Sequence, residues 1–153
     1  KHHDLDFIMG QLDWEENVDT HFKDHHYIEP IVDESRSGEG FIDRWITYGA
    51  FGGRQMFSAK ELTVEPGAQC TLRDPGASGW ITVQGSGSMG SLKLQTPAMI
   101  RFGQATEDEV FITRVAAETG VQIVNTGSEP LVGLRYFGPD VYDVIPSIGD
   151  HRK

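Results

Sequence analysis

The chain of 153 residues contains no histidine between His26 and His151, and its only cysteine is Cys70. A site formed inside that interval therefore lacks imidazole, the side chain that most often binds transition metals and transfers protons near neutral pH. A single cysteine excludes an internal disulfide and any zinc site built from several thiolates.

Basic residues and long apolar runs are also scarce. Lys and Arg number 13 against 23 Asp and Glu, which gives a formal net charge of -10. Nucleic acids and anionic membranes attract clusters of Lys and Arg, so we expect neither as a partner. No apolar run reaches the roughly 18 residues that span a bilayer, and no secretory pattern opens the chain. We expect a cytoplasmic protein with one hydrophobic core.

Short runs of alternating apolar and polar residues fill most of the chain. Phe57–Val64 shows this pattern until Glu65-Pro66-Gly67 ends it, and such alternation is typical of a half-buried strand. The same reasoning predicts further strands at Phe41–Tyr48, Trp80–Gln84, Ser91–Leu94, Ala98–Phe102, Val110–Thr113, Val121–Val124 and Leu131–Phe137. Many short strands at this spacing favour an all-β sandwich or closed barrel.

The first forty residues differ from the rest. Leu5, Ile8, Met9 and Leu12 recur at helical spacing behind Asp4, which predicts a short capped helix. Elsewhere we predict one helical turn over Thr113–Thr119. We divide the chain into an N-terminal arm or linker (1–40), a barrel (41–140) and a C-terminal tail (141–153), and we predict a hairpin turn at Gly52-Gly53.

Several landmarks follow one another in the order of a known family. They are Val64-Glu65-Pro66-Gly67, Gly85-Ser86-Gly87, Pro97 and the segment Asn125–Leu131. In this order the chain resembles a cupin, a small jelly-roll barrel. In that family a His-x-His pair, a Glu and a later His bind a metal inside the barrel.

The resemblance places those four metal-binding roles near Leu72, Asp74, Ser78 and Val121. None is a histidine or a glutamate, so no metal is expected in the barrel. The degenerate pattern is similar to the C-terminal barrel of class I mannose-6-phosphate isomerases. This likeness implies a sugar or sugar-phosphate ligand and, for an enzyme, an aldose–ketose isomerase.

Cations near the barrel mouth are the candidate substrate-binding residues. Lys60 shares the face of Leu62 and Val64 and should therefore point inward. We predict that Lys60, Arg73, Arg101 and Arg135 bind a sugar phosphate. Alternation leaves open whether Arg135 or its neighbours face the inside of the barrel.

An isomerase also needs a base and a group that stabilises the enediolate. The densest carboxylate group is Glu107-Asp108-Glu109, which makes Glu109 the candidate base, with Lys60 as the second catalytic residue.

Histidines cluster in the arm. His21, His25, His26 and Glu29 lie within nine residues, and a helix there would place His21, His25 and Glu29 on one face. Two imidazoles and a carboxylate are suitable ligands for zinc, although Pro30 limits such a helix.

Three functions remain open at this point. The first is a metal-free barrel that binds a sugar or sugar phosphate, the second a metal-dependent enzyme that uses the N-terminal histidines, and the third a structural or oligomerisation module. We expect a homo-oligomer or part of a longer two-barrel chain, with a small carbohydrate as ligand.

Overall fold

The computed structural model describes residues 4–50 and 54–147. The chain divides into two compact units, whose described parts are residues 4–29 and residues 30–147. In the described ranges every helix is too short or too polar to reach across a bilayer. The Gly52-Gly53 turn lies outside the described residues.

Three short helices form the first unit: α1 (Leu5–Met9), α2 (Trp14–Asn17) and α3 (Phe22–His26). The Asp4 carboxylate accepts a hydrogen bond from the Asp6 amide at 3.0 Å, which satisfies a free donor at the start of α1. The predicted helix at Leu5 is therefore confirmed. It ends at Met9, because Gly10 serves as its C-terminal cap.

The second unit consists almost entirely of strands. Its elements are β1 (Ile31–Val32), a 3-10 helix (Glu34–Arg36), β2 (Phe41–Thr47), β3 (Ser58–Val64), β4 (Gln69–Leu72), β5 (Ser78–Gln84), β6 (Ser86–Met89), β7 (Leu92–Gln95), β8 (Glu109–Ile112), α4 (Arg114–Thr119), β9 (Val121–Asn125) and β10 (Leu131–Phe137).

These strands form two antiparallel sheets. The order is β1-β2-β3-β10-β5-β8 in the first sheet and β4-β9-β6-β7 in the second. The chain changes sheet from β3 to β4, from β4 to β5, from β5 to β6, from β7 to β8, and again before β9 and β10. The eight strands from β3 to β10, which alternate in this way between the two sheets, form a jelly roll. The predicted fold, an all-β jelly-roll barrel after a short helical arm, is confirmed.

Apolar side chains from both sheets fill one end of the barrel. Leu62, Val64 and Leu131 from the first sheet meet Leu94 and Ile123 from the second, and each is at most 1% exposed. Burying one such side chain contributes about 1.5–3 kcal/mol relative to leaving it in water.

One predicted strand is wrong. Residues 98–102 lie in the loop between β7 and β8, and Met99, Ile100 and Phe102 are 73%, 90% and 108% exposed. Within the described ranges this segment pairs with no strand, and its three large apolar side chains stay exposed. Alternation alone was therefore misleading there. The helical turn after Thr113 is confirmed, since the Thr113 hydroxyl accepts from the Ala116 amide at the start of α4.

Candidate functional site

Two cations lie side by side inside the barrel. Alternating residues of β3 and β10 point inward, and both Lys60 and Arg135 are fully buried. The prediction that Lys60 faces the interior is confirmed. Arg135, whose orientation the alternation left open, also faces the interior. The two residues are direct cross-strand partners. Like charges in that position repel each other unless carboxylates lie close by.

Three aspartates supply the neutralising charge. Lys60 Nζ lies 2.6 Å from Asp33 Oδ2 and 2.6 Å from Asp43 Oδ2. The Arg135 guanidinium donates to Asp43, and its Nη1 lies 2.6 Å from Asp74 Oδ2. Asp43 is on β2, Asp74 follows β4, and Asp33 precedes the 3-10 helix. Each interior cation therefore contacts two carboxylates.

Arg36, on the 3-10 helix, closes these contacts into a circle. Its guanidinium lies 3.9 Å from Asp33 Oδ2 and 3.8 Å from Asp74 Oδ1. We call the six residues Asp33, Arg36, Asp74, Arg135, Asp43 and Lys60, in which positive and negative charges alternate, the charge ring. Buried ions are tolerated when each is paired. Arg36 is the loosest member, because its contacts are the longest and its side chain is 34% exposed.

The charge ring shifts the pKa values of its members. Burial alone would raise the pKa of Asp33, but hydrogen bonds from Lys60 and Ser35 and the charges of Lys60 and Arg36 outweigh it, so the pKa is lowered. Burial opposes the charged form of Arg135, yet Asp74 and Asp43 hold its pKa above the ordinary value. Both side chains are therefore ionised at neutral pH.

Tyr142, from the C-terminal segment, covers one side of the ring. Its hydroxyl donates to Asp74 Oδ1. Its ring meets Trp45 and Phe137 edge to face, with centroids 4.9 and 5.1 Å apart. Burial, the charge of Asp74 and this hydrogen bond raise the pKa of Tyr142. The sequence analysis did not select this residue.

A cavity of about 430 Å³ opens beside the ring. Its polar lining comes from the 3-10 helix region and the end of β4, and includes Ser35, Arg36, Ser37, Asp43, Thr71 and Arg73. Arg36 donates to the backbone carbonyl of Arg73, and Arg73 Nη1 donates to the Glu118 carbonyl at 3.2 Å. Arg73 forms no ion pair with any described residue, so its positive charge is available at the cavity wall.

Two of the predicted site residues lie elsewhere. Arg101 is in the exposed loop before β8, with its Nε 3.5 Å from Met99 Sδ. Glu109 is an exposed residue that begins β8, the edge strand of the six-stranded sheet. Neither residue lines the cavity. Their roles in binding and catalysis stay predictions, as does that of Lys60 in catalysis.

The histidines of the first unit pair with nearby acids. His25 Nδ1 lies 2.6 Å from Asp19 Oδ2, His26 Nε2 lies 2.5 Å from Glu16 Oε2, and His21 Nδ1 lies 3.4 Å from Asp24 Oδ2. Glu29 lies beyond the end of α3. Among residues 4–50 and 54–147, no three His, Cys, Asp or Glu side chains are arranged to hold a metal ion. Zinc at this cluster stays a prediction.

The barrel interior does not suit a divalent metal. Of the four positions that the cupin resemblance assigns to metal ligands, only Asp74 carries a carboxylate, and Arg135 already binds both of its oxygens. The positive charges of Lys60 and Arg135 would also repel a metal cation placed between them. The side chains present therefore assemble a ring of ion pairs.

Comparison with known proteins finds likeness in structure alone. No protein-family model matches the chain, and no curated protein matches it. Oxalate decarboxylase from Bacillus subtilis is similar over 72% of this chain and 27% of its own length, with 23% identity and a TM-score of 0.47. This chain therefore spans just over a quarter of that protein.

Two other solved structures are similar to this chain over more of their own length. The polyketide cyclase RemF from Streptomyces resistomycificus matches over 74% of each chain, with 14% identity and a TM-score of 0.48. A cupin-2 domain from Rhodospirillum rubrum also matches over 74% of each chain, with 18% identity and a TM-score of 0.45.

Proposed function

We propose that the barrel binds a sugar or sugar phosphate, without metal, in the cavity beside the charge ring. The observation that carries the proposal is the cavity wall, on which Arg73 pairs with no carboxylate of residues 4–50 or 54–147. Arg36, on the same wall, has only two long contacts to carboxylates. The cavity volume of about 430 Å³ lies within the range of about 300–1,000 Å³ that is typical of small-molecule sites.

The distribution of charge assigns different parts of the ligand to different side chains. Lys60 and Arg135 are each neutralised by two aspartates, so a phosphate gains little from them. Arg73 and Arg36 offer planar guanidinium groups, which suit bidentate binding of phosphate oxygens. The Ser35, Ser37 and Thr71 side chains present hydroxyls to the same cavity, and these suit the hydroxyls of a sugar.

In this proposal the charge ring has a supporting role. Its ion pairs join β3 to Asp33 beside the 3-10 helix, and β10 to β2 and to Asp74 after β4. Such support holds Arg36 and Ser35 where the ligand needs them. The same proposal includes kinship with mannose-6-phosphate isomerases, a cytoplasmic location and assembly into a homo-oligomer. In this proposal the barrel binds its ligand and does not isomerise it.

Calorimetry with mannose 6-phosphate and mannose tests the proposal. We expect the phosphorylated sugar to bind at least tenfold more tightly than mannose, and Arg73→Ala to abolish that difference. Arg114→Ala is the matched control, because it removes the same charge from an exposed position on α4 that does not line the cavity. Equal affinity of Arg73→Ala and the unchanged protein for mannose 6-phosphate would contradict the assignment.

One observation favours the oligomerisation module as a second function. Met99, Ile100 and Phe102 expose apolar side chains on one loop, and contiguous apolar surface on a domain often marks a protein contact. Light scattering over a range of concentrations, compared with the Phe102→Ser variant, tests this function. A protein that stays monomeric throughout would exclude it.

A further inference from the structure

Tyr142 occupies its pocket in the way that a bound ligand would. Its ring meets the edges or faces of Trp45 and Phe137, and the charged ends of Lys60 and Arg36 each lie 5.6 Å from its centroid. Its hydroxyl donates to Asp74. The pocket thus combines an aromatic box, two cations that favour the electron-rich ring and one acceptor for a phenolic proton.

The segment that carries Tyr142 has few other attachments. Residues 138–147 contain no helix or strand. The Tyr142 amide donates to Gln55 Oε1 at 3.3 Å, and Asp140 pairs with Arg54 at the surface, where the two side chains are 55% and 65% exposed. Exposed pairs of that kind contribute little to stability. Val144 is 83% exposed, and the Asp140 amide donates to the Gln55 carbonyl at 3.4 Å. Tyr142 therefore makes the aromatic and charged contacts that tie this segment to the charge ring.

Two cavities border the segment that carries Tyr142. Tyr142, Val144 and Ile145 line a cavity of about 390 Å³ with Arg54 and Gln55. The same three residues line a second cavity of about 550 Å³, together with Trp45 and Arg36. The segment therefore contributes to the lining of both cavities.

We propose that the pocket of Tyr142 is a binding site for the phenol ring of a small molecule, and that residues 140–145 form a plug which such a ligand displaces. The ligand's ring takes the place of the Tyr142 ring against Trp45 and Phe137, and its hydroxyl donates to Asp74. Asp74 keeps its two hydrogen bonds from Arg135 and accepts the ligand's hydroxyl where it accepted that of Tyr142. Tyr142 does not line the proposed sugar cavity, so its pocket is a second site, which shares Arg36 with that cavity.

The test uses the full chain with p-cresol as probe and 4-methylanisole, which lacks the donating hydroxyl, as comparison. Tyr142→Ala removes the internal competitor, so we expect p-cresol to bind this variant at least tenfold more tightly than the unchanged protein. We expect the variant to prefer p-cresol over 4-methylanisole at least tenfold. Phe111→Ala, which removes an exposed ring, is the matched control and should behave like the unchanged protein.

Hydrogen exchange tests the displacement itself. Saturating p-cresol should increase the exchange of the amides of residues 140–145 in the unchanged protein, because the plug leaves its pocket. Should Tyr142→Ala fail to fold, Tyr142→Phe replaces it: that plug lacks the bond to Asp74, and p-cresol should bind severalfold more tightly than to the unchanged protein. Equal affinity of the folded variant for the two probes, or p-cresol binding with unchanged exchange at residues 140–145, would overturn the proposal.

Discussion

Arg135 donates from one guanidinium nitrogen, Nη1, to both carboxylate oxygens of Asp74, at 2.8 and 2.6 Å. Both side chains are buried, with exposures of 0% and 1%. A second nitrogen of the same guanidinium donates to Asp43. The single charge of Arg135 is thus shared between two buried carboxylates, so removal of this side chain affects both.

The first prediction concerns the dependence of Asp43 and Asp74 on Arg135. Replacing Arg135 by Met leaves Asp43 with Lys60 alone and Asp74 with Arg36 and Tyr142. Removing one partner of a buried ion pair costs about 3–5 kcal/mol, so we expect the free energy of unfolding in urea to fall by about that amount. Arg101→Met, at an exposed position, should change it by no more than about 0.5 kcal/mol. Equal stability of the two variants would show that the ring does not hold the barrel together.

The second prediction concerns acid stability. The pKa of Asp33 is lowered from 3.8 in the folded protein, so its ion pairs stabilise the fold above pH 3.8 and lose that effect as the pH falls through the folded value. Asp33→Asn lacks this contribution at every pH. We expect the difference in unfolding free energy between the unchanged protein and Asp33→Asn to be constant from pH 7 to about pH 5 and to shrink below about pH 4. A difference that grows with acid in urea titrations would contradict the assigned pairing.

The sequence predicts the barrel well and the charge ring poorly, for a physical reason. Strand alternation is a local signal, and it correctly places Lys60 with Leu62 and Val64 on the inner face. Asp43 and Arg135 are 92 positions apart in the chain, so their pairing depends on the order of strands in the sheet. Both faces of β10 carry apolar residues, which is why the orientation of Arg135 stayed open.

Other residues of the site had no local signal. Asp33 lies next to the 3-10 helix, in a segment that alternation assigned to the arm. Tyr142 lies in an irregular segment that the sequence analysis treated as tail. The wrong strand at Ala98–Phe102 shows the opposite failure, in which a local pattern exists but no neighbouring strand is available to bury it.

The third prediction concerns close packing inside β10. A Cβ atom on Gly133 would overlap the indole ring of Trp80, which is 1% exposed and is a large member of the core. Gly133→Ala forces that ring to move, and overpacking of this kind costs about 1–3 kcal/mol. Gly138→Ala is the matched control, since a Cβ there has no atom within 4 Å among the described residues. Thermal unfolding should therefore separate the two variants, and equal midpoints would contradict the packing of Trp80 over Gly133.

The fourth prediction concerns the single thiol. Cys70 lines the proposed sugar cavity but is only 7% exposed. Burial, opposed by the charge of Arg135 and reinforced by that of Asp43, raises its pKa from 9.0 to about 11. A rise of about two pH units lowers the thiolate fraction at pH 8 about 100-fold, and the thiolate is the reactive form.

Alkylation by iodoacetamide measures the reactivity of the Cys70 thiol. At pH 8 we expect the folded protein to react at least about 100-fold more slowly than the same protein unfolded in urea, because protonation and limited access both slow the reaction. Mannose 6-phosphate should slow it further, since a ligand in the cavity covers the thiol. A folded protein that reacts within tenfold of the unfolded rate would show that Cys70 is neither buried nor protonated as described.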